Sequence, residues 1–275
     1  MSNLEKALQR AIQARNTKNS KPGQELAEVS EAGQLVQRNG HIGSMRENGL
    51  RDKAALEQQK IIFPDMSNSK VVDQFREIRT HIYKAIRENN SPILITSVTN
   101  DAGNTFVTKN IAAAIALDDA KTSLIVDCNL VNPGFKDLAT EPDNLGVTDY
   151  IDSDIPLEEI ISPVGISRMR MISAGARKES VTDYLTSNRL RALFIELQQR
   201  YSDRVILVDS PSINDSADAK ILCSLFSHVI LIVPYRKATE SQVTNAIKAI
   251  GKEKIIGMVI NREPQFLSLF KYKKQ

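Results

Sequence analysis

The chain has 275 residues, of which 41% are hydrophobic and 25% are charged, as is usual for a globular protein of this length. A formal net charge of +3 gives no indication of a nucleic-acid-binding protein, and two isolated cysteines exclude a disulfide-rich scaffold. The sequence has no apolar run long enough to cross a membrane and no secretory signal at its start, so we expect a cytoplasmic protein.

Residues 1–60 are predicted to form a helical, partly disordered extension. Leu4, Leu8 and Ile12 recur at helical spacing, and a second helix is predicted over 25–37. Two short helices with thin apolar stripes bury too little surface to offset the entropy lost on ordering them. The extension therefore fits either a segment that docks on a partner or a solvated tail.

From residue 61 onward, short apolar runs alternate with helical segments. The predicted strands are 93–96, 123–127, 168–173, 204–209, 228–234 and 254–261, and the predicted helices are 71–86, 105–117, 182–200, 214–225 and 239–250. Continuous apolar strands separated by helices indicate a parallel sheet covered on both faces. We predict a three-layer α/β domain with a doubly wound, mostly parallel sheet over 61–265, followed by a basic tail at 266–275.

The segment between the first long strand and its helix reads SVTNDAGNT, at residues 97–105. A strand, a turn of small residues and a helix in this order are typical of a phosphate-binding loop. Such a loop uses a lysine to contact the phosphates, but Asn104 stands at that position, and Asp101 stands where a glycine usually turns a backbone N–H inward. The candidate nucleotide-binding residues are Asp101, Ala102, Gly103, Asn104, Thr105 and Phe106.

The missing lysine predicts weak nucleotide binding and poor catalysis. A charge-assisted hydrogen bond contributes on the order of 1.5–3 kcal/mol, so its loss weakens binding about tenfold or more. Loss of one preorganised donor to a transition state commonly costs about a hundredfold in rate. Asp101 would repel the phosphates if its carboxylate faced them, whereas Asn104 can still donate a neutral hydrogen bond. We expect a weakened site for ATP or ADP with Mg²⁺.

Two aspartates follow predicted strands at the edge of the sheet where ligands bind. Asp127 comes after SLIV and Asp209 comes after RVILV. A carboxylate that faces a phosphate loop from the end of a buried strand holds Mg²⁺ or its water shell. Either aspartate alone would be better explained as a turn-capping residue, but their order relative to the loop favours a nucleotide fold. Thr105, Asp127 and Asp209 are the predicted Mg²⁺ ligands, and the two aspartates are the predicted catalytic residues if the protein is active.

These motifs resemble those of the bacterial tyrosine kinases (BY-kinases) of exopolysaccharide loci, P-loop relatives of the MinD/ParA ATPases, and most closely the exosortase-associated tyrosine autokinases. The family motifs PGEGKT, DADxxRP and DSPP are similar to NDAGNT, DCNLVNP and DSPS in this chain. The family's oligomerisation helix, E-x-F-R-x-x-R, is similar to DQFREIR, which assigns Asp73, Arg76 and Arg79 to a subunit interface. A surface helix with paired charges is the alternative explanation for these three residues.

The departures from the family pattern fall on the residues that carry chemistry. The family lysine is Asn104, the second aspartate of the DxD pair is Asn129, and the glycine pair is reduced to Gly103. The tyrosine-rich tail of the family is reduced to FLSLFKYKKQ, in which Tyr272 is the candidate phosphorylation site. The resemblance therefore implies a pseudokinase that keeps the scaffold and has lost catalytic groups.

The resemblance also implies a regulatory role in exopolysaccharide or capsule biosynthesis or export. The implied partners are a membrane-embedded polysaccharide co-polymerase, which determines chain length, and other kinase subunits, at the inner face of the inner membrane. Two alternatives stay open: an active autokinase that binds MgATP and phosphorylates Tyr272, and a MinD-like positional ATPase, which would need the missing lysine. The tail fits a short amphipathic membrane-binding segment, a disordered tail or a partner-binding hook.

Overall fold

The computed structural model describes residues 49–86, 90–139, 145–176, 179–201 and 203–264. All of them belong to one unit of the chain, residues 45–275. The helices predicted near the N-terminus and the basic tail at 266–275 lie outside the described residues.

A seven-stranded sheet runs through the centre of this unit. Its strands are β1 Ile93–Ser97, β2 Thr122–Asp127, β3 Ser162–Pro163, β4 Met169–Ile172, β5 Arg204–Asp209, β6 His228–Pro234 and β7 Ile255–Asn261. Their order is β3-β4-β2-β5-β1-β6-β7, and the two-residue strand β3 is antiparallel to β4 whereas the other pairs are parallel. The predicted doubly wound, mostly parallel sheet is confirmed.

Helices cover both faces of the sheet. They are α1 Lys53–Gln58, α2 Ser69–Ala85, α3 Asn104–Ala116, α4 Val147–Asp152, α5 Leu157–Ile160, α6 Val181–Thr186, α7 Asn188–Arg200, α8 Ala217–Leu225 and α9 Glu240–Ile250. The buried side chains of α2 and α3 pack on one face, and those of α7, α8 and α9 pack on the other. Among the described helices, none combines the length and the apolar character needed to cross a bilayer.

The central strand β1 contributes to the core on both of its faces. Ile93 and Ile95 pack with α2 and α3, whereas Leu94 packs with α7, α8 and α9, because successive side chains of a strand point to opposite faces. Every residue of β1 is buried. This double burial explains why the strands appear in the sequence as continuous apolar runs rather than as alternating patterns.

One predicted helix is wrong. The sequence predicts a single helix over 182–200, but α6 ends at Thr186 and α7 begins at Asn188. Ser187 between them has extended backbone, and its hydroxyl accepts a hydrogen bond from Leu190 N at 3.1 Å. Ser187 therefore acts as the N-cap of a second helix, although the apolar residues keep a helical spacing through the whole predicted segment. The short elements α1, α4, α5 and β3 have no predicted counterpart.

Residues that precede the predicted domain boundary at residue 60 also pack on the sheet domain. Arg51 N donates to Gly165 O at 2.7 Å, and Arg51 Nε donates to Val164 O at 2.8 Å. Gln59 Nε2 donates to Asp137 O at 2.9 Å. Residues 49–60 are therefore continuous with the fold that follows them, while the predicted extension and tail stay predictions.

Candidate nucleotide-binding site

The loop between β1 and α3 lies at the carboxyl ends of the parallel strands, where ligands bind in such sheets. Gly103 has a φ of 94° and Asp101 a φ of 56°, so both lie in the left-handed region. A Cβ at Gly103 would lie 2.3 Å from Asn261 Nδ2, which donates to Ala102 O at 2.7 Å. The end of β7 therefore fixes this loop through one amide side chain that the sequence reasoning did not single out.

Asn104 is the first residue of α3, and its side chain reaches across to the loop after β5. Its Nδ2 donates to Ser210 O at 2.9 Å, whereas its Oδ1 is buried without a hydrogen-bond partner. The position that holds a cation in a phosphate-binding loop therefore carries a neutral amide bonded to the protein's own backbone. Asp101 is exposed.

The two predicted aspartates lie side by side, because Asp127 of β2 and Asp209 of β5 are register partners. Both are buried. Asp209 accepts hydrogen bonds from Thr105 Oγ1 at 3.0 Å and from Thr108 Oγ1 at 3.1 Å. The structure thus brings Thr105, Asp127 and Asp209 together as the sequence predicts.

Backbone donors from the loop after β2 hold the other carboxylate. Asp127 Oδ1 accepts from Asn129 N at 3.0 Å, and Asp127 Oδ2 accepts from Gly134 N at 2.9 Å. Asn129 therefore contacts this carboxylate through its backbone N–H, while its side-chain Oδ1 accepts from Asn132 N at 3.3 Å.

Burial is the main influence on the acidity of both groups. It raises the pKa of Asp127 from its ordinary value of 3.8 to about 7, against backbone donors that favour the charged form. Burial, followed by the charge of Asp127, raises the pKa of Asp209 well above its ordinary value. Ionisation of both carboxyls would place two negative charges side by side in a buried site, at a high cost in free energy. The pair therefore holds a proton near neutral pH when no divalent cation neutralises the negative charge.

Lys109 is a charged neighbour of this pair that the sequence reasoning missed. Its side chain is 9% exposed, and its ammonium contacts the two carboxylate oxygens of Asp137 at 2.5 and 2.6 Å. Its charge opposes the effect of burial on the pKa of Asp127 and of Asp209. The available signal was a lysine in a helix whose other residues are all uncharged, where charge is costly unless paired.

The oxygen atoms of Thr105, Asp127 and Asp209 fit a magnesium ion, since hard cations prefer oxygen ligands. Within the described ranges, no group of three His, Cys, Asp or Glu side chains could hold a metal, so the hydroxyl of Thr105 would have to complement two carboxylates. The phosphate side of the site fits less well, because Asn104 supplies no positive charge there. The residues present therefore suit the cation better than the anion of a metal–nucleotide pair.

Gly134 allows the loop after β2 to lie against Thr105. A Cβ at Gly134 would lie 2.3 Å from Thr105 Oγ1. We expect Gly134→Ala to lower the free energy of unfolding by about 1–3 kcal/mol, because overpacking displaces this loop. Urea unfolding measures the change. Gly257→Ala in β7, where a Cβ would meet no atom within 4 Å, is the matched control, and equal losses in both variants would contradict the expectation.

Two predicted residues are not brought to this site by the described structure. Phe106 packs edge-on against Phe75 of α2, with ring centroids 6.2 Å apart, so its ring belongs to the contact between α2 and α3. Tyr272 lies outside the described residues. The structure therefore gives no support to Phe106 as a nucleotide contact through its side chain.

The predicted interface residues lie on α2. Arg76 pairs with Asp73 at 3.4 Å, and both side chains are largely exposed. Arg79 Nη1 donates to Ala114 O at 2.9 Å, near the end of α3. Two of the three residues are therefore accessible to a partner, and the third fixes α2 on α3.

Comparison with models of protein families finds no match. Among curated proteins, the chain is 27% identical over 203 residues to the putative tyrosine-protein kinase CapB of Staphylococcus aureus, a match that covers 73% of this chain and 88% of that protein. It is 25% identical over 193 residues to the tyrosine-protein kinase etk of Escherichia coli strain K12, covering 69% of this chain and 26% of that longer protein. The chain is a homologue of the bacterial tyrosine-protein kinases.

A further homologue is the putative tyrosine-protein kinase in the cps region of Klebsiella pneumoniae, at 24% identity over 193 residues, 69% of this chain and 26% of that protein. The solved chimerical protein CapA2B2 superimposes with a TM-score of 0.67 at 22% identity, covering 84% of this chain and 100% of that one. The kinase domain of the Escherichia coli tyrosine kinase ETK superimposes with a TM-score of 0.65 at 23% identity. This match covers 78% of this chain and 87% of that one.

The septum site-determining protein MinD of Pyrococcus horikoshii, solved in complex with Mg-ADP, gives a TM-score of 0.53 at 22% identity, covering 64% of this chain and 71% of that one. At these identities the structural likeness establishes the fold alone. It confirms that this tyrosine-kinase homologue has the predicted fold, which MinD shares. The narrower likeness to the exosortase-associated autokinases stays a prediction.

Proposed function

We propose that this homologue is a catalytically impaired tyrosine kinase that regulates exopolysaccharide or capsule biosynthesis or export. The observation that carries the proposal is the neutral Asn104 side chain, bonded to Ser210 O at the position of the phosphate-binding lysine. A homologue named for the cps region supports the biological setting. On this proposal ATP or ADP binds weakly with Mg²⁺ through residues 101–106.

The charges around the loop support weak binding. A neutral hydrogen bond contributes about 1 kcal/mol, against about 1.5–3 kcal/mol for a charged one, so Asn104 compensates little of the phosphate charge. Asp101 adds a negative charge to the loop, and Lys109 already contacts both oxygens of Asp137. Mg²⁺ held by Thr105 and the paired aspartates would neutralise part of the phosphate charge, which makes residual binding compatible with lost catalysis.

The protein would then act by assembly rather than by phosphorylation. We place the interface on the exposed face of α2, where Asp73 and Arg76 have side chains that are 70% and 45% exposed. The ion pair between them contributes little in water, so a partner can replace it at small cost. The proposed partners are another kinase subunit or a polysaccharide co-polymerase at the inner face of the inner membrane.

Incubation of the full-length chain with radiolabelled ATP and Mg²⁺ tests the proposal. We expect no incorporation above that of an Asp209→Ala chain, because the loop lacks the charge that phosphoryl transfer needs. Label that is incorporated and then lost in Asp209→Ala or Tyr272→Phe would overturn the impaired-kinase proposal. That result would favour the second candidate, an active autokinase, for which the retained Thr105, Asp127 and Asp209 are the supporting observation.

A MinD-like positional ATPase is a third candidate, supported by the shared fold. It would require nucleotide-dependent attachment to a membrane surface. Co-sedimentation with anionic liposomes, with and without ATP, distinguishes it from the leading proposal. Binding that depends on ATP and disappears on removal of residues 265–275 would favour it; we expect no dependence on ATP.

A further inference from the structure

The last strand of the sheet, β7, has one edge to which no strand is bonded among the residues that the structure describes. Two large apolar side chains of this strand are exposed, Met258 by 47% and Ile260 by 63%. They share one face of the sheet, because Val259 between them packs with α2 and α3 on the other face. Native proteins usually cover or interrupt an apolar edge of this kind, since it can pair with another chain.

The backbone groups of Met258 and Ile260 also face the open edge. Tyr235 N donates to Asn261 O at 2.8 Å, so the N–H and C=O groups of Asn261 point toward β6. These groups alternate in direction from one residue of a strand to the next, so Val259 also points toward β6. Met258 and Ile260 point away from it. The edge therefore offers two donors and two acceptors beside two exposed apolar side chains.

The chain continues from β7 into a segment of matching character. Arg262, directly after the strand, has a φ of 65°, a left-handed conformation that favours a turn. Residues 266–270 read FLSLF, so four of these five side chains are large and apolar. Connections of four residues are common in β-hairpins, and residues 262–265 supply one between Asn261 and Phe266. The segment 266–270 lies outside the described residues.

The antiparallel pairing that this connection closes matches apolar side chains on the two segments. Leu267 would lie opposite Ile260 in this register. Leu269 would lie opposite Met258, and facing apolar pairs of this kind stabilise a sheet. A shift of the register by one residue in either direction would place Ser268 opposite one of the two exposed side chains instead.

The same register accounts for the space beside Gly257. A Cβ at this glycine would meet no atom within 4 Å. Phe270 would lie opposite Gly257, and an aromatic side chain beside an edge glycine covers the backbone that the glycine leaves exposed. The apolar residues of the segment therefore match the exposed positions of β7 at three successive sites on alternating faces.

We propose that residues 266–270 bind the free edge of β7 in this register, as an additional antiparallel strand of the sheet. Because only four residues connect the two segments, this segment competes for the edge at an effective concentration on the order of millimolar. That advantage favours it over a second copy of the chain. The pairing does not depend on the proposed function.

The pairing has a consequence for the candidate phosphorylation site. In this register Tyr272 would lie beside Ile255, the first residue of β7. The nucleotide loop contacts the other end of the strand, where Asn261 donates to Ala102 O. At about 3.3 Å per residue, the docked tail keeps Tyr272 about 20 Å along the strand from the loop of its own subunit.

Hydrogen exchange of single backbone amides, followed by NMR on the full-length chain, tests the pairing. We expect the amides of Met258 and Ile260 to exchange about tenfold or more slowly than exposed amides, because each gains a hydrogen bond. The amide of Val259 points toward β6 with or without the tail, so it serves as an internal control. Exchange of the two outward amides at the rate of exposed amides, with Val259 protected, would overturn the proposal.

Two double variants identify what covers the edge. Leu267→Asp with Leu269→Asp places charges in the apolar contact and should abolish the protection of the two outward amides. Lys273→Gln with Lys274→Gln lowers the net charge by the same amount beyond the paired residues and should retain that protection. Protection that rises with protein concentration would assign the edge to a second copy. Protection that persists in the aspartate variant at every concentration would assign it to another segment, and either result overturns the proposal.

A cross-strand disulfide tests the register. The Cα atoms of hydrogen-bonded antiparallel partners lie about 5.5 Å apart, which suits a disulfide. On mild oxidation, Met258→Cys with Leu269→Cys is expected to form an intramolecular disulfide several-fold faster than Met258→Cys with Ser268→Cys, in which the second cysteine would point to the opposite face. The native Cys128 and Cys223 are buried. Equal rates in the two variants would overturn the proposal.

Discussion

Replacing Asn104 with lysine and Asp101 with glycine in the same chain is expected to strengthen binding of MgADP about tenfold or more. The lysine supplies the charge-assisted hydrogen bond that the loop lacks, which contributes on the order of 1.5–3 kcal/mol. The glycine removes a carboxylate from the loop and relieves the φ of 56° that Asp101 adopts at an exposed turn. Isothermal titration with MgADP and MgATP measures both affinities.

The matched control isolates the charge. A chain with Asn104→Met and Asp101→Gly carries a side chain of similar length without a positive end, and it also loses the hydrogen bond from Asn104 Nδ2 to Ser210 O. We expect this chain to bind MgADP no better than the original one. If the lysine variant gained nothing over the methionine variant, the missing charge would not be what limits binding, and the impaired-kinase proposal would lose its physical basis.

The stability of the protein is expected to fall as the pH rises from about 4 to about 7. An unfolded Asp127 loses its proton near its ordinary pKa of 3.8, whereas burial raises the folded pKa to about 7. Between these values the folded chain binds the extra proton, so deprotonation disfavours folding. Asp127 alone then changes the free energy of unfolding by on the order of 4 kcal/mol across this range.

Asp209→Asn tests the same effect at the paired carboxyl. Thr105 and Thr108 donate to Asp209 through hydroxyls, which can rotate to accept from an amide, so the variant keeps its contacts. The variant removes a carboxyl whose pKa is raised on folding by burial and by the charge of Asp127, so it should gain stability relative to the original chain at pH 8 more than at pH 5. Urea unfolding at a series of pH values measures both chains. Parallel curves would show that folding does not raise the pKa of Asp209.

The sequence predicted the elements that depend on apolar periodicity and the residues that follow strand ends. β5 and β6 have the predicted bounds, and Asp127 and Asp209 lie together because parallel strands end at a common edge. The break at Ser187 was missed because a serine that caps a helix and a serine inside a helix differ only in backbone conformation. Periodicity carries no information about that difference.

Contacts made by side chains across the fold were not predictable from spacing. Lys109 and Asp137 meet because the loop after β2 folds back over α3, and Asn261 reaches Ala102 because β7 lies beside the loop. Each pair joins segments whose relative position depends on the completed sheet. The sequence indicated that Lys109 was unusual in an apolar helix, but it did not supply the partner.

The position of β1 in the sheet has a consequence for synthesis of the chain. Both neighbours of this strand, β5 and β6, come later in the sequence, so Ile93 pairs with Leu207 and with His228. A nascent chain therefore emerges from the ribosome with a strand that begins with three apolar residues, Ile93, Leu94 and Ile95, and that has no hydrogen-bonding partner until most of the domain has been made. Such long-range parallel pairs form slowly, and hydrophobic surface stays exposed until they have formed. Chains released before β5 is complete are expected to aggregate, and the protein is expected to require chaperones during translation.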